Sequence, residues 1–490
     1  MSQNETPLFT GLVEHAKKEP IQFHIPGHKK GVGLAPEFRD YIGENAFKID
    51  LINISPLDDL HQPKGMIKKA QELAAEAFGA DYTFFSVQGT SGAIMTMVMT
   101  VCGPGDKIIV PRNVHKSVMS AIVFAGAIPI FIHPEVDEDL GISHGITTES
   151  VEKALQQHPD AKGVLVINPT YFGVVADLKK IVTIAHGYGV PVLVDEAHGV
   201  HIHFHEDLPI SAMQAGADMA ATSVHKLGGS MTQSSILNVR EGLVSVQRVQ
   251  SILSMLTTTS TSYLLLASLD VARKQLAIKG RELIQKSIDL ANYIRSEINK
   301  IPHLYCVGKE IVAKNAVFDI DPTKLIISVK DLGITGHDAE KWLREVYNIE
   351  VELSDLYNIL CIVTSGDTER EANILIKALQ HMSREFETYA KETTIDQVLL
   401  PDIPVLAISP RDAFYAETEI VPFEESNGRI IAEFVMVYPP GIPIFIPGEI
   451  ITEENLIYIQ KNIEAGLPVQ GPEDPELKTL RVIKEHKAIR

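Results

Sequence analysis

The chain alternates short apolar runs with longer amphipathic stretches. Runs at 83–87, 107–110, 128–132, 163–167 and 190–194 have strand length. Between them Ile67, Ala70, Leu73, Ala74 and Ala77 recur at helical spacing, and helices are predicted over 67–78, 93–102, 150–157 and 178–186. This strand–helix repetition predicts an α/β fold with a mostly parallel, doubly wound sheet. The run 190–194 closes on Asp195, and a short helix near 210–215 follows. A second small-residue run, 217–223, then leads into His225 and Lys226. Strand, crossover and parallel strand bring Asp195 and Lys226 to one carboxyl edge, where open α/β sheets bind ligands.

The pattern changes further along. A helix over 244–256, a hydroxyl-rich stretch over 257–263 and a long helix over 264–298 precede a smaller α+β unit with strands near 324–329 and 359–363. In that unit Glu352 and Asp355 either face a site or are solvated. The first residues are punctuated by proline and glycine, and Asp58 and Asp59 read as solvated or capping carboxylates. The expected layout is an arm over 1–45, a large domain over 46–275, a small α+β domain over 276–390 and a C-terminal domain over 391–490.

Composition narrows the classes. With 490 residues, 45% apolar and 22% charged, the chain has core enough for two or three globular domains. A net charge of −19 argues against nucleic acid or an anionic membrane as partner. Three scattered cysteines without a CxxC pair point to a reducing compartment and no structural zinc. The start has no basic region followed by an apolar run, and the apolar run near Ile444 is too short to span a bilayer. A cytoplasmic protein is expected.

Some stretches carry chemistry. An isolated Asp…Lys pair is ordinarily a surface ion pair. At a ligand-binding sheet edge, the same pair suits pyridoxal phosphate (PLP): the amine forms a Schiff base, and the carboxylate keeps the ring nitrogen protonated. Gln88-Gly89-Thr90-Ser91-Gly92 before a helix is either an anion cradle or an ordinary capped helix. Asp195-Glu196-Ala197-His198 spells a helicase box, but the GxxxxGK[ST] phosphate loop it requires is missing from the sequence. His201, His203 and His205 would share a face on a strand, yet no further ligand stands at metal spacing, and no metal is expected.

The text Ser223-Val224-His225-Lys226, followed by Gly229-Ser230 and Thr232-Gln233-Ser234-Ser235, resembles the lysine signature of the Orn/Lys/Arg decarboxylases, a fold-type I PLP family. The likeness extends to Phe23–Gly31, to the Arg112–Ser117 stretch RNVHKS, to Asp195–Gly199, to 257–263, to PRDAFYA from Pro410 and to the proline-rich run 438–449. It implies an aminotransferase-like large domain, a smaller α+β domain and a C-terminal domain. It also implies Lys226 as the cofactor lysine and Asp195 at the ring nitrogen. Thr90, Ser91, Ser223 and His225 would anchor the phosphate and fix the ring, His115 would stack on the ring, and His198 would lie in the pocket. Ser260, with Thr259, would approach the partner subunit's phosphate, and Glu449 is a candidate acid for a substrate's distal cation.

The resemblance is nearest to the short biosynthetic arginine decarboxylases of Gram-positive bacteria. It implies conversion of L-arginine to agmatine and CO2 in polyamine (spermidine) biosynthesis, by a homodimer or homotetramer with its site at the subunit interface. Lysine or ornithine is the alternative substrate, and a catalytically silent regulator is the alternative class. Arg344 and Arg370 fall in charged helical text, which argues against an aminotransferase's carboxylate clamp.

Overall fold

The computed structural model describes residues 2–387, 401–437, 442–464 and 469–484. The expected boundary at 390/391 and residues 438–441 of the proline-rich motif lie outside these. The chain forms two compact units, Met1–Val101 with Ala185–Gln285 and Cys102–Ile184 with Lys286–Arg490.

In the first unit the strands lie in the order Tyr82–Ser86, Ser235–Val239, Met219–Thr222, Val192–Asp195. The last two are parallel, with Asp195 opposite Ala221. Asp195 and the residues after Thr222 therefore leave the sheet at the same carboxyl edge, as the crossover predicts. The other two pairings are antiparallel. Strand Ser235–Val239 is not apparent in the sequence pattern, because its Ser235 and Asn238 are buried polar residues. Asn238 is satisfied there by accepting the Thr83 hydroxyl at 2.6 Å. Helix Met66–Phe78 buries Ile67, Ala70, Leu73 and Ala74, the predicted face. Its amino end is capped by Asp58, whose carboxylate accepts the N–H groups of Gly65 and Ile67 at 2.7 and 2.9 Å. Asp58 is thus a capping residue.

In the second unit strand Lys107–Pro111 lies between Ile128–Ile132 and Val164–Ile167, all parallel. A four-stranded antiparallel sheet holds Lys324–Ser328 and Asn358–Ile362 at its centre. Helices Gly336–Tyr347 and Glu369–Phe386 pack on it through Trp342, Leu343, Ile376 and Leu379. Each opens on a capping box, Thr335 with Asp338 and Thr368 with Glu371. Asp355 is buried rather than solvated: it accepts the Tyr357 and Asn358 N–H groups and the Asn358 amide. Burial pushes its carboxyl up to about 6. Glu352 is exposed and accepts the Tyr171 hydroxyl. Arg344 pairs with Glu340 and Glu350 on the surface, and Arg370 is exposed. The C-terminal part folds around Ile431, Val435, Phe445, Ile459 and Val482. Among the described residues no helix is long and apolar enough to cross a membrane.

Candidate active site

The carboxyl edge of the first unit's parallel pair carries the candidate cluster. Asp195, the last residue of its strand, is 5% exposed and accepts the Ala197 N–H at 3.2 Å. Burial raises its carboxyl above the usual range, while the Ala197 N–H and the charge of Lys226 pull it back. Lys226 lies on the one-turn helix Val224–Leu227, and its Nζ is 2.8 Å from Nε2 of the buried His198. The sequence names both residues without pairing them; the turn after Asp195 puts the imidazole beside the amine.

The phosphate candidates converge as well. Helix Gly89–Val101 starts four residues earlier than predicted, so Thr90 and Ser91 belong to its first turn. N–H groups in a first turn have no intrahelical acceptor and favour an anion. Thr90 Oγ1 and the fully buried Ser223 Oγ share a hydrogen bond at 3.0 Å, which places the lysine turn against this helix start. His225 is oriented by its Nδ1–H, which donates to the Ser234 carbonyl at 2.9 Å.

Two supporting residues were given no role by sequence reasoning. Gln233, at φ +80°, donates its side-chain amide to the Val87 carbonyl at 2.7 Å, and its own carbonyl accepts the Gly89 N–H at 2.9 Å. It ties the loop after the lysine to the start of helix Gly89–Val101. Glu196, 3% exposed, accepts the Ala212 N–H at 2.6 Å and the Thr222 hydroxyl at 3.0 Å. It links the end of the Asp195 strand to the end of the strand leading to Lys226. Its signal in the sequence is a second acid directly after a buried strand, and the helicase-like spelling obscures it.

Other candidates make contacts of their own. Ser260 is exposed in the bend after helix Val246–Leu256, and its N–H donates to Thr258 Oγ1. His201, His203 and His205 do not alternate along a strand: Ile202–Phe204 is a 3-10 turn. His203 Nδ1 meets Ser211 Oγ, and His205 Nε2 meets Gln285 Oε1. In the second unit His115 caps helix Lys116–Ala125, its Nδ1 accepting the Ser117 N–H at 3.2 Å. Glu449 requires a correction. It is 1% exposed, and its two oxygens accept Arg112 Nη1 and Nη2 at 2.6 and 2.8 Å and the Ile446 N–H at 2.9 Å. A carboxylate so enclosed is committed to Arg112 and does not offer itself to a substrate's cation.

The chemistry of the first unit's cluster suits PLP. Hydroxyls at a helix start suit a phosphate, an amine suits an aldehyde carbon, and a buried carboxylate is stabilised by a protonated ring nitrogen. The sequence profile of the Orn/Lys/Arg decarboxylase major domain matches residues 6–371, and that of the C-terminal domain matches residues 393–466. An arginine decarboxylase of Bacillus anthracis is 74% identical over 489 residues, spanning 100% of this chain and 99% of that one. An arginine decarboxylase of Bacillus subtilis is 72% identical, spanning 100% of both. The crystal structure of the Francisella novicida lysine decarboxylase superposes with a TM-score of 0.86 at 25% identity, over 98% of this chain and 81% of that one. The architecture is that of fold-type I PLP enzymes. Cluster, fold and full-length similarity together make the chain a decarboxylase that belongs to the Orn/Lys/Arg decarboxylase family.

Proposed function

We propose that the protein converts L-arginine to agmatine and CO2 with PLP as cofactor. The observation that carries this is similarity above 70% identity, over the whole chain, to proteins named arginine decarboxylase. When bound, PLP supplies an electron sink for the pair left on Cα as the carboxylate departs. Lys226 provides the amine that holds the cofactor, and His198 sets the direction of that amine. Asp195 keeps the ring nitrogen protonated, because a buried carboxylate gains most from a cationic neighbour. The first turn of Gly89–Val101 binds the phosphate through Thr90 and Ser91, with Ser223 beside them and His225 fixing the lysine turn. His115 covers the ring face, and either His115 or Lys226 returns a proton to Cα.

On this reading the reaction belongs to polyamine biosynthesis, and scattered cysteines without a CxxC pair support a cytoplasmic setting. The working form is a homodimer or homotetramer in which Ser260 reaches the partner subunit's cofactor phosphate. Exposed apolar side chains near the amino end support an assembly: Phe23 is 96% and Tyr41 is 90% exposed. The test is CO2 release from arginine, lysine and ornithine by PLP-loaded protein, beside Lys226→Ala. Agmatine from arginine, lost in the variant, is the expected result. Preference for lysine or ornithine overturns the substrate, and cofactor uptake without CO2 from any of the three overturns the reaction.

A further inference from the structure

Arg112 directly follows strand Lys107–Pro111 and is 1% exposed. A fully buried guanidinium is costly unless its donors are met. Here Nε donates to the Pro443 carbonyl at 2.8 Å and Nη2 to the Ile444 carbonyl at 3.0 Å. Nη1 and Nη2 form a two-pronged pair with Glu449 at 2.6 and 2.8 Å. The guanidinium carbon also lies 4.6 Å from the centre of the Phe131 ring. Three residues of the C-terminal segment therefore close around one side chain of the parallel sheet. Such a fork fixes direction as well as distance.

The pair takes its significance from the residues next to Arg112. The Arg112 backbone N–H is held by the Ile132 carbonyl at 2.8 Å, and three residues later comes His115, the cap of Lys116–Ala125. The far end of that helix is met by an earlier stretch of the C-terminal part. Arg411 Nη1 donates to the Phe124 carbonyl at 3.2 Å, and the Arg411 side chain packs over Gly126. The C-terminal part thus holds both ends of the element that His115 opens.

We propose that Arg112 and Glu449 are a positioning pair through which the C-terminal domain fixes the turn carrying His115 at the cofactor ring. The inference rests on the ring-facing role of His115 given above. Its consequence is coupling: weakening the pair removes the benefit of the imidazole without touching it.

The test is a double-mutant cycle on the PLP dissociation constant, measured by absorbance titration of the full-length apoprotein below its unfolding temperature. His115→Ala is expected to weaken binding about tenfold in the parent, the worth of one stacked ring. In the Glu449→Gln background that penalty shrinks to about threefold or less, as for residues acting as one unit. Arg112→Lys, which keeps the charge and loses the fork, gives the same shrinkage. Penalties that multiply overturn the inference, as does a lower Tm in Glu449→Gln with unchanged cofactor affinity. If neither Glu449→Gln nor Arg112→Lys folds, the pair is a folding requirement and the positioning role is overturned. If His115→Ala alone leaves the constant unchanged, the reading of His115 has failed and the inference falls with it.

Discussion

Two adjacent acids at the end of one strand have different surroundings and predict different phenotypes. Asp195 is held near Lys226; on the proposed reading, Asp195→Asn removes the charge that would keep the ring nitrogen protonated while leaving the start of helix Gly89–Val101 intact. Turnover should fall by about 10²–10³-fold with the cofactor still bound. Steady-state kinetics beside a PLP titration separate the two, and loss of cofactor without loss of turnover per bound PLP would contradict this. Glu196 faces structure instead, and burial pushes its carboxyl up to about 7 from an ordinary 4.5. Between those values the folded chain holds a proton that the unfolded chain does not. Its contribution to stability is therefore full below about pH 4.5 and is lost as pH rises through 7, on the order of 3 kcal/mol in all. Glu196→Gln can keep both partners, its amide oxygen accepting from Ala212 and its NH2 donating to a turned Thr222 hydroxyl. Urea melts from pH 5 to 8 should show wild type losing stability relative to the variant, and parallel curves would reject the assignment.

At the scale of elements, two glycines with similar backbones predict unequal costs. Gly89, at φ +66°, opens helix Gly89–Val101, and an added methyl would find no atom within 4 Å, so Gly89→Ala costs about 1–2 kcal/mol, the left-handed backbone alone. Gly448, at φ +100°, leads into Glu449, and a methyl there would sit 2.4 Å from the Ile408 carbonyl oxygen. Gly448→Ala adds overpacking to strain, about 2–5 kcal/mol in all. Denaturant melts of both variants give the order, and equal losses would refute it. The same elements mark the reach of sequence reasoning. Ile128–Ile132 is legible as an apolar run of strand length, and Met66–Phe78 because its apolar residues recur at helical spacing. The Lys226 turn is legible because its chemistry is written in consecutive letters. The start at Gly89 is not, since Gly-Thr-Ser-Gly has loop propensity and is held by Gln233, far along the chain. Arg112 and Glu449 are separated by 337 positions, and nothing local in either stretch announces their pairing. The sequence therefore exposes the acid and suggests a substrate contact; only packing reveals its partner.

At the scale of the whole molecule, the amino-terminal region leaves apolar side chains in water. Ile21 is 88%, Phe23 96%, Val32 79% and Tyr41 90% exposed. Isolated exposed apolar residues are ordinary, but four large ones within about twenty residues fit the assembly proposed above. If the proposed dimer uses this surface, Phe23→Asp with Tyr41→Asp should shift sedimentation from dimer to monomer while far-UV circular dichroism stays unchanged. A dimer that survives both charges would place the interface elsewhere. If Ser260 serves the partner's cofactor, active sites are also shared, and mixing can read this out. On the proposed reading Lys226→Ala chains are expected to be inactive and Ser260→Ala chains impaired. A mixed dimer has one site with both defects and one with neither, because each site takes Lys226 from its own chain and Ser260 from the other. With equal amounts and random exchange, half the dimers are mixed, so activity should recover to about a quarter of wild type under two-fold symmetry. Sites built from a single chain would give no recovery beyond the residual activity of the Ser260→Ala chains, and that outcome would return Ser260 to an ordinary surface bend.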